Sequence, residues 1–158
     1  MTRLSADRRR ERSDTADGQR RRLALALAAL PLTTLADDTA ASPAGPESRW
    51  YEAAAAMKRL AESWGDQGYG AVLVKHGAVV GEGPSRVVKN GDQNAHAERE
   101  ALRDAERRLG RAALQGSVLY STSRPCSLCE DAAARAGVGR MVFGPQLTDA
   151  GPPRALSR

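Results

Sequence analysis

Hydrophobic residues between positions 50 and 82 follow two different spacings. Between residues 50 and 64 they recur at intervals of three and four, which predicts an amphipathic helix. Two short valine-rich runs follow at 69–75 and 78–82, and the sequence Lys-His-Gly separates them. Such a pair of runs around a turn signal predicts a β-hairpin.

The second half of the chain continues with alternating helical and strand patterns. Residues 83–94 are polar and aperiodic, which predicts a loop, and apolar residues then stand at every fourth position within a predicted helix at 95–109. A buried strand is predicted at 118–121, a helix at 126–136 and a further strand at 140–143. This alternation of strands and helices predicts a three-layer α/β domain.

The basic character of the chain is concentrated at its beginning. The formal charge is +5, yet residues 1–36 alone hold eight arginines against four acidic residues. The other 122 residues hold 16 basic and 15 acidic side chains, which leaves them nearly neutral. A nucleic-acid-binding domain normally carries a basic excess for phosphate contacts, so nucleic acid is not the expected partner.

Residues 1–36, called the leader below, resemble an export signal. Three consecutive arginines at 20–22 precede an uncharged run at 23–36 that ends in Thr-Leu-Ala, and this order resembles a twin-arginine signal. The run is too short for a permanent membrane span. We therefore expect a periplasmic or extracellular protein. A mistaken start codon, or a basic extension with one short helix, is the alternative and would leave the protein in the cytoplasm.

The ends of the predicted domain differ in composition from its middle. Residues 37–49 are rich in Thr, Ala, Ser, Pro and Gly without periodicity, which is typical of a linker. Residues 145–158 contain Pro152-Pro153, and we expect an irregular tail there.

Two short stretches thirty residues apart carry the residues with metal chemistry. His96 lies in the first and Cys126 and Cys129 in the second, where Pro125 suits the start of a helix. Cysteines three apart on a helix share one face, and a helix N-terminus favours thiolates. One imidazole and two thiolates form a stable ligand set for a catalytic Zn²⁺ that keeps a fourth position for water.

Glu98 is the expected catalytic residue. It stands two residues after His96, too close to ligate the same ion from a helix but near enough to reach the water. A carboxylate in that position can take a proton from the water and pass it to a ring nitrogen and a leaving amine. The predicted chemistry is hydrolytic deamination of an aromatic amine.

Other interpretations of these residues explain less of the pattern. A redox pair or a disulfide would leave His96 and Glu98 unexplained. A purely structural zinc would require a fourth protein ligand. The other histidine, His76, lies in the predicted hairpin turn and is expected to be a solvated loop residue.

Four motifs resemble the cytidine and deoxycytidylate deaminase superfamily, in the branch of guanine, cytosine and tRNA-specific adenosine deaminases. They are YGAVLVKHGAVVGEG, AHAEREALRDA, LYSTSRPCSLC and GRMVFG, and they define a zinc-dependent deaminase domain at 50–144. The resemblance implies a mixed sheet flanked by helices, zinc held between two helix N-termini, and a homodimer. It also implies that the Ala97 backbone and Ser85 contact the substrate.

Three features depart from that family. Relatives usually carry Asn in the loop where this chain has Pro84-Ser85-Arg86, and Glu where it has Arg124. They also usually continue with another strand and helix, so the domain resembles a version shortened at its C-terminus. A cation such as Arg124 could receive an anionic group, pair with a local acid or lie on the surface.

The resemblance favours a free nucleobase or small nucleoside as substrate, with guanine first and cytosine or adenine-type bases next. Deamination of tRNA adenosine or another nucleic acid is the alternative within the family. Two other classes stay open: a catalytically inactive zinc-binding module, and an exported effector that edits the nucleic acid of a competitor. The low aromatic content, 4%, weakens the effector hypothesis because single strands are bound by stacking on aromatic residues.

The leader hypothesis predicts cleavage after Ala36. Intact-mass analysis of the protein from the cell envelope should give the mass of a chain that begins at Asp37. An envelope-localised protein that retains Met1 to Ala36 would contradict a cleaved signal.

Overall fold

A mixed five-stranded sheet forms the centre of the domain. The computed structural model describes residues 45–157. The strands are β1 (Gly70–Lys75), β2 (Ala78–Pro84), β3 (Val118–Ser121), β4 (Arg140–Phe143) and β5 (Thr148–Gly151), arranged in the order β2-β1-β3-β4-β5. The β3–β4 pair is parallel and the other neighbouring pairs are antiparallel, so the predicted mixed sheet is confirmed.

Helices cover both faces of this sheet. They are α1 (Ser48–Ser63), α2 (Val87–Asn90), α3 (Ala97–Leu109) and α4 (Ser127–Ala136), with a short 3₁₀ turn at Arg111–Leu114. Helix α1 packs on one face, whereas α3, α4 and the 3₁₀ turn pack on the other. The predicted three-layer α/β/α arrangement is therefore confirmed.

The two cores follow from the alternation of side chains along the central strands. In β1, Val72 and Val74 belong to the cluster under α1, and Leu73 belongs to the cluster under α3 and α4. Strand β4, on the other side of β3, divides in the same way, with Val142 on the α1 side and Met141 on the other. Successive strand residues point to opposite faces, so apolar residues at consecutive positions fill both cores at once.

The predicted hairpin is confirmed in β1 and β2. His76 and Gly77 form its turn with φ values of 50° and 72°. Positive φ at both central positions gives a turn whose twist matches the strands, and glycine adopts it without steric cost. His76 is exposed, as expected for a loop residue.

Several boundaries differ from the sequence prediction. Helix α1 begins at Ser48, within the segment predicted to be a linker, and the single turn α2 lies within the predicted loop at 83–94.

The segment 145–158 is not wholly irregular, because β5 pairs with β4. Gly144 and Leu147 reverse the chain with φ values of 71° and 53°. The Thr-Asp-Ala-Gly sequence of β5 has little strand propensity, which explains why the pattern missed it. The leader lies outside the described residues.

A polar cluster joins the start of α1 to β4 and β5. Arg140 lies 2.9 Å from Glu47 and 3.0 Å from Asp149 through two different guanidinium nitrogens. Tyr120 of β3 lies beneath this pair, and its burial together with the Glu47 carboxylate raises its pKa to about 12. The phenol therefore stays neutral and donates to Glu47.

Within residues 45–157, no helix is long and apolar enough to cross a membrane.

Strand β2 lies unusually close to α3. A Cβ atom added at Gly83 would overlap the Ala97 carbonyl oxygen and the Ala101 amide nitrogen, and one added at Gly81 would overlap the Ala101 carbonyl oxygen. Only glycine lets the two backbones approach so closely. The first turn of α3, which carries Glu98, is therefore seated directly on the end of β2.

Replacing Gly83 by alanine should destabilise the domain by about 3 kcal/mol, at the upper end of the overpacking range, because the new methyl group meets backbone that cannot rotate away. Denaturant unfolding of the zinc-loaded protein measures the change. Gly139→Ala is the matched control, since its added Cβ would lie no closer than 3.4 Å to its nearest neighbour. Equal losses in the two variants would contradict the close approach of β2 and α3.

Candidate metal centre and active site

The N-termini of α3 and α4 converge at one edge of the sheet. Strands β2 and β3 are both antiparallel to β1, so they run in the same direction and end at the same edge. Helix α3 follows β2 and helix α4 follows β3. Each strand-to-helix connection therefore delivers its polar residues to one place, as in other α/β sheets.

His96 and Cys126 occupy equivalent positions in the two connections. Each is the residue immediately before its helix, with extended backbone at φ −63°, ψ 152° for His96 and φ −76°, ψ 166° for Cys126. Neither side chain caps its own helix. Both are therefore free to point away from the helix, toward each other.

The helix boundaries correct the prediction at both sites. His96 and Cys126 were expected inside helices at 95–109 and 126–136, but α3 begins at Ala97 and α4 at Ser127, so each residue is the N-cap of its helix. Cys129 is then the third helical residue. N-cap and third-position side chains meet, as they do in a capping box, so the two sulfurs still converge on one point.

The three predicted ligands fit a tetrahedral zinc ion. The Nδ1 atom of His96 lies 3.6 Å from the Cys126 sulfur and 3.5 Å from the Cys129 sulfur, and all three ligand atoms lie within 4.8 Å of one another. Zinc bonds of about 2.3 Å to sulfur and about 2.0 to 2.1 Å to nitrogen, at a tetrahedral angle, separate nitrogen and sulfur by about 3.5 to 3.6 Å. The donor set and its spacing therefore suit zinc.

Burial differs among the ligands. Cys129 is fully buried and His96 is half-buried, whereas Cys126 is exposed. Burial raises the pKa of the Cys129 thiol, and the neighbouring Glu98 carboxylate raises it further. A divalent cation reverses this balance because it stabilises the thiolate directly. Metal binding at this site therefore releases protons.

Glu98 lies in the first turn of α3, as predicted, and is only 6% exposed. Burial raises the pKa of its carboxyl group, while its own backbone N–H, the Cys129 thiol and His96 partly offset that rise. The contact with Cys129 places the carboxylate directly beside the metal ligands. A raised pKa makes this carboxylate more ready to take up a proton than an exposed glutamate, which suits a group that accepts and returns one.

These residues open into one cavity of about 260 Å³. Its lining residues are Gln67, Tyr69, His96, Ala97, Glu98, Ser123, Arg124 and Cys126. Ala97 thus lies in the cavity wall, where the resemblance expects its backbone. The walls contributed by Gln67, Tyr69 and Ser123 were not predicted from the sequence. The sequence offered one signal for Tyr69, a large aromatic residue immediately before a run of strand residues. The structure leaves this residue 47% exposed.

Ser85 does not take the position expected of a substrate contact. Its side chain is fully buried and its hydroxyl donates to Oδ1 of Asp66 at 2.9 Å. It is absent from the described lining of the cavity. The resemblance placed Ser85 in the correct loop, but the hydroxyl is directed to Asp66 instead of the opening.

Asp66 explains why that loop is ordered. Its carboxylate accepts hydrogen bonds from the Lys89 and Gln67 backbone N–H groups at 2.8 and 2.7 Å, and these bonds together with that from Ser85 lower its pKa despite its burial. The Lys89 bond caps the start of α2 from a distant part of the chain. Lys89 also lies over the Trp64 ring, 3.6 Å from its centre. The segment between β2 and α3 is thereby held against the end of α1.

Removing a ligand and removing the acid should affect the metal differently. Cys129→Ala should bind zinc at least tenfold more weakly, because two ligands cannot complete the site. Glu98→Ala should keep one equivalent of zinc, since the carboxylate is not one of the three convergent ligand atoms. Zinc content after dialysis against a weak chelator measures both. Loss of zinc from Glu98→Ala would show that Glu98 is a ligand.

Known proteins resemble this chain in sequence and in fold. The chain aligns with a tRNA-specific adenosine deaminase of Buchnera aphidicola subsp. Schizaphis graminum at 35% identity, over 65% of this chain and 68% of the relative. It aligns with the guanine deaminase of Bacillus subtilis at 38% identity, over 52% of this chain and 53% of that enzyme. The chain therefore spans between about half and two thirds of these relatives.

Solved structures include enzymes of the same two kinds. A structure from a study of A-to-I editing by tRNA:A34 deaminases superposes with a TM-score of 0.59 at 33% identity, over 61% of this chain and 75% of that one. The Bacillus subtilis guanine deaminase structure gives 0.54 at 33% identity, over 61% of each chain. A family model, the cytidine and deoxycytidylate deaminase zinc-binding region, matches residues 46–145. With its ligands in the arrangement described above, the chain belongs to this family of zinc-dependent deaminases.

Proposed function

We propose that the protein is a zinc-dependent hydrolytic deaminase that acts on a nucleobase, free or as part of a small nucleoside. The observation that carries the proposal is the meeting of three metal ligand atoms and a buried carboxylate at one small cavity. A site that only binds metal would not require the buried Glu98 carboxylate beside the three ligands. A closed structural site would not leave Cys126 and His96 facing an opening.

The roles of the residues follow from their positions. His96, Cys126 and Cys129 would hold zinc, which supplies Lewis-acid activation of a water molecule. Glu98 would accept one proton from the water and deliver it to the ring nitrogen as the C–O bond forms. It would then take the second proton from the new hydroxyl group and deliver it to the departing amine as the C–N bond breaks. The net reaction converts an exocyclic C–NH₂ group and water into C=O and ammonia. Burial of Glu98 keeps bulk water from competing for its proton.

Guanine is the heterocycle that we favour. Support comes from the similarity to the Bacillus subtilis guanine deaminase and from the size of the cavity, about 260 Å³. Tyr69 and Gln67 line the cavity, and these residue types suit a base, since an aromatic ring can stack on it and an amide both donates and accepts hydrogen bonds. Cytosine and adenine-type bases come next.

Deamination of adenosine in tRNA is the second candidate function. It is supported by similarity to tRNA-specific adenosine deaminases. The near-neutral charge of residues 37–158 favours a small substrate instead, because a tRNA enzyme depends on phosphate contacts. The inactive module and the exported effector are further alternatives.

The oligomeric state and the cellular location of the protein also belong to this proposal. We propose a homodimer, which the resemblance to the deaminase family implies. A monomer-sized mass in light scattering at micromolar concentration would contradict it. Export remains a proposal that depends on the leader.

Ammonia release tests the proposed reaction. The full chain with one equivalent of zinc should release ammonia from guanine, cytosine, adenine or one of their nucleosides, and Glu98→Ala with the same zinc content should lower kcat at least a thousandfold. Release that persists in Glu98→Ala would contradict the assigned acid/base. Silence toward every small compound, together with release from tRNA, would favour the second candidate. Silence toward both would favour an inactive zinc-binding module.

A further inference from the structure

Arg124 is a cation without a partner at the opening of the active site. It is exposed and lines the same cavity as Glu98 and Cys126. Among the described side chains no carboxylate lies within ion-pairing distance of it, although most other arginines of α3 and α4 have such a partner. An unpaired guanidinium beside a reaction site is available to a ligand.

A second cavity adjoins the first at Arg124. It has a volume of about 320 Å³, and Arg154 also lines it. The side chain of Arg154 has no described carboxylate partner either, while its backbone N–H donates to Oε1 of Glu130 at 3.1 Å. Strand β5 and the segment after it form one wall of this cavity. Arg124 therefore borders both cavities, and Arg154 borders the second.

Two acidic residues, Asp149 and Glu130, also line the second cavity, and both accept hydrogen bonds. Asp149 accepts from Arg140 at 3.0 Å and from the Gly151 N–H at 2.7 Å. Glu130 accepts the Arg154 backbone N–H. No other acidic side chain lines the second cavity in the described part of the chain. Asp149 is thus neutralised by Arg140, and Glu130 keeps its charge. Within the described residues, Arg124 and Arg154 are the cations of this lining that have no carboxylate partner, and guanidinium groups bind phosphate oxygens in pairs.

We propose that Arg124 and Arg154 form an anion-binding subsite for a phosphate group carried by the substrate. The inference rests on the proposed function for the heterocycle, which enters the cavity of Glu98. It adds that the base arrives as a nucleoside monophosphate, with the base beside Tyr69 and the phosphate directed toward the second cavity. Substrate choice then depends on an arginine at the position where relatives usually carry an acidic residue.

Relative turnover tests the subsite. Zinc-loaded full-length protein should use guanosine 5′-monophosphate about ten- to a hundredfold better in kcat/KM than guanosine, the range of one charge-assisted contact. Arg124→Gln should remove most of that preference, Arg124→Lys should restore part of it, and Arg154→Gln should reduce it less. Arg59→Gln is the matched control, because Arg59 is exposed on α1 and lines neither cavity.

The outcomes separate this inference from the proposed function. Turnover of guanosine with no preference for the monophosphate, or a preference unchanged in Arg124→Gln, would overturn the subsite and leave the deaminase proposal standing. A short single-stranded oligonucleotide that carries the same base is included as a third substrate. A gain confined to that oligonucleotide would overturn the assignment to a mononucleotide.

A binding measurement decides the case in which nothing is turned over. Titration calorimetry with zinc-loaded Glu98→Ala should show tighter binding of the monophosphate than of guanosine by about tenfold or more, and the double variant with Arg124→Gln should lose that difference. Equal binding of the two compounds would overturn the subsite. Selective binding without turnover would support the subsite and contradict the proposed reaction.

Discussion

The close approach of two strand-to-helix connections is the constraint on which the rest of this structure depends. Strands β2 and β3 flank β1 and run in the same direction, so α3 and α4 begin at one edge of the sheet. Gly83 permits α3 to lie directly on β2, which fixes the height of His96 and Glu98 above that edge. The metal ligands meet at a point to which the fold already brings them. The packing of Gly83 against the backbone of α3 places His96 at this edge of the sheet.

Much of this arrangement could be predicted because it depends on local spacing. Cysteines three residues apart at the start of a helix meet wherever the helix lies, and so the pairing of Cys126 with Cys129 needs no knowledge of the fold. The strands β3 and β4 were recognised for a similar reason, since consecutive apolar residues that fill two cores are rare outside a central strand. The convergence of His96 with the cysteines came from resemblance, because no local rule brings together residues thirty positions apart.

The errors occur where long-range contacts decide. Ser85 was assigned to the substrate from its place in a loop, but Asp66, nineteen residues earlier, accepts its hydroxyl. Helix α2 has no capping side chain of its own, so its sequence carried no signal for it. Strand β5 is specified by pairing with β4 and not by its residues. Each case depends on a partner that only the folded chain supplies, which is why periodicity could not reveal it.

The cluster of Glu47, Arg140 and Asp149 has a practical consequence for isolating the domain. The hydrophobic pattern places the first helix at residue 50, and a shortened gene designed from that pattern would omit Glu47. Such a product would leave Arg140 with Asp149 alone and would deprive the buried Tyr120 hydroxyl of its acceptor. The smallest fragment suited to expression therefore starts ahead of Glu47, so that the polar cluster that joins the start of α1 to β4 and β5 stays intact.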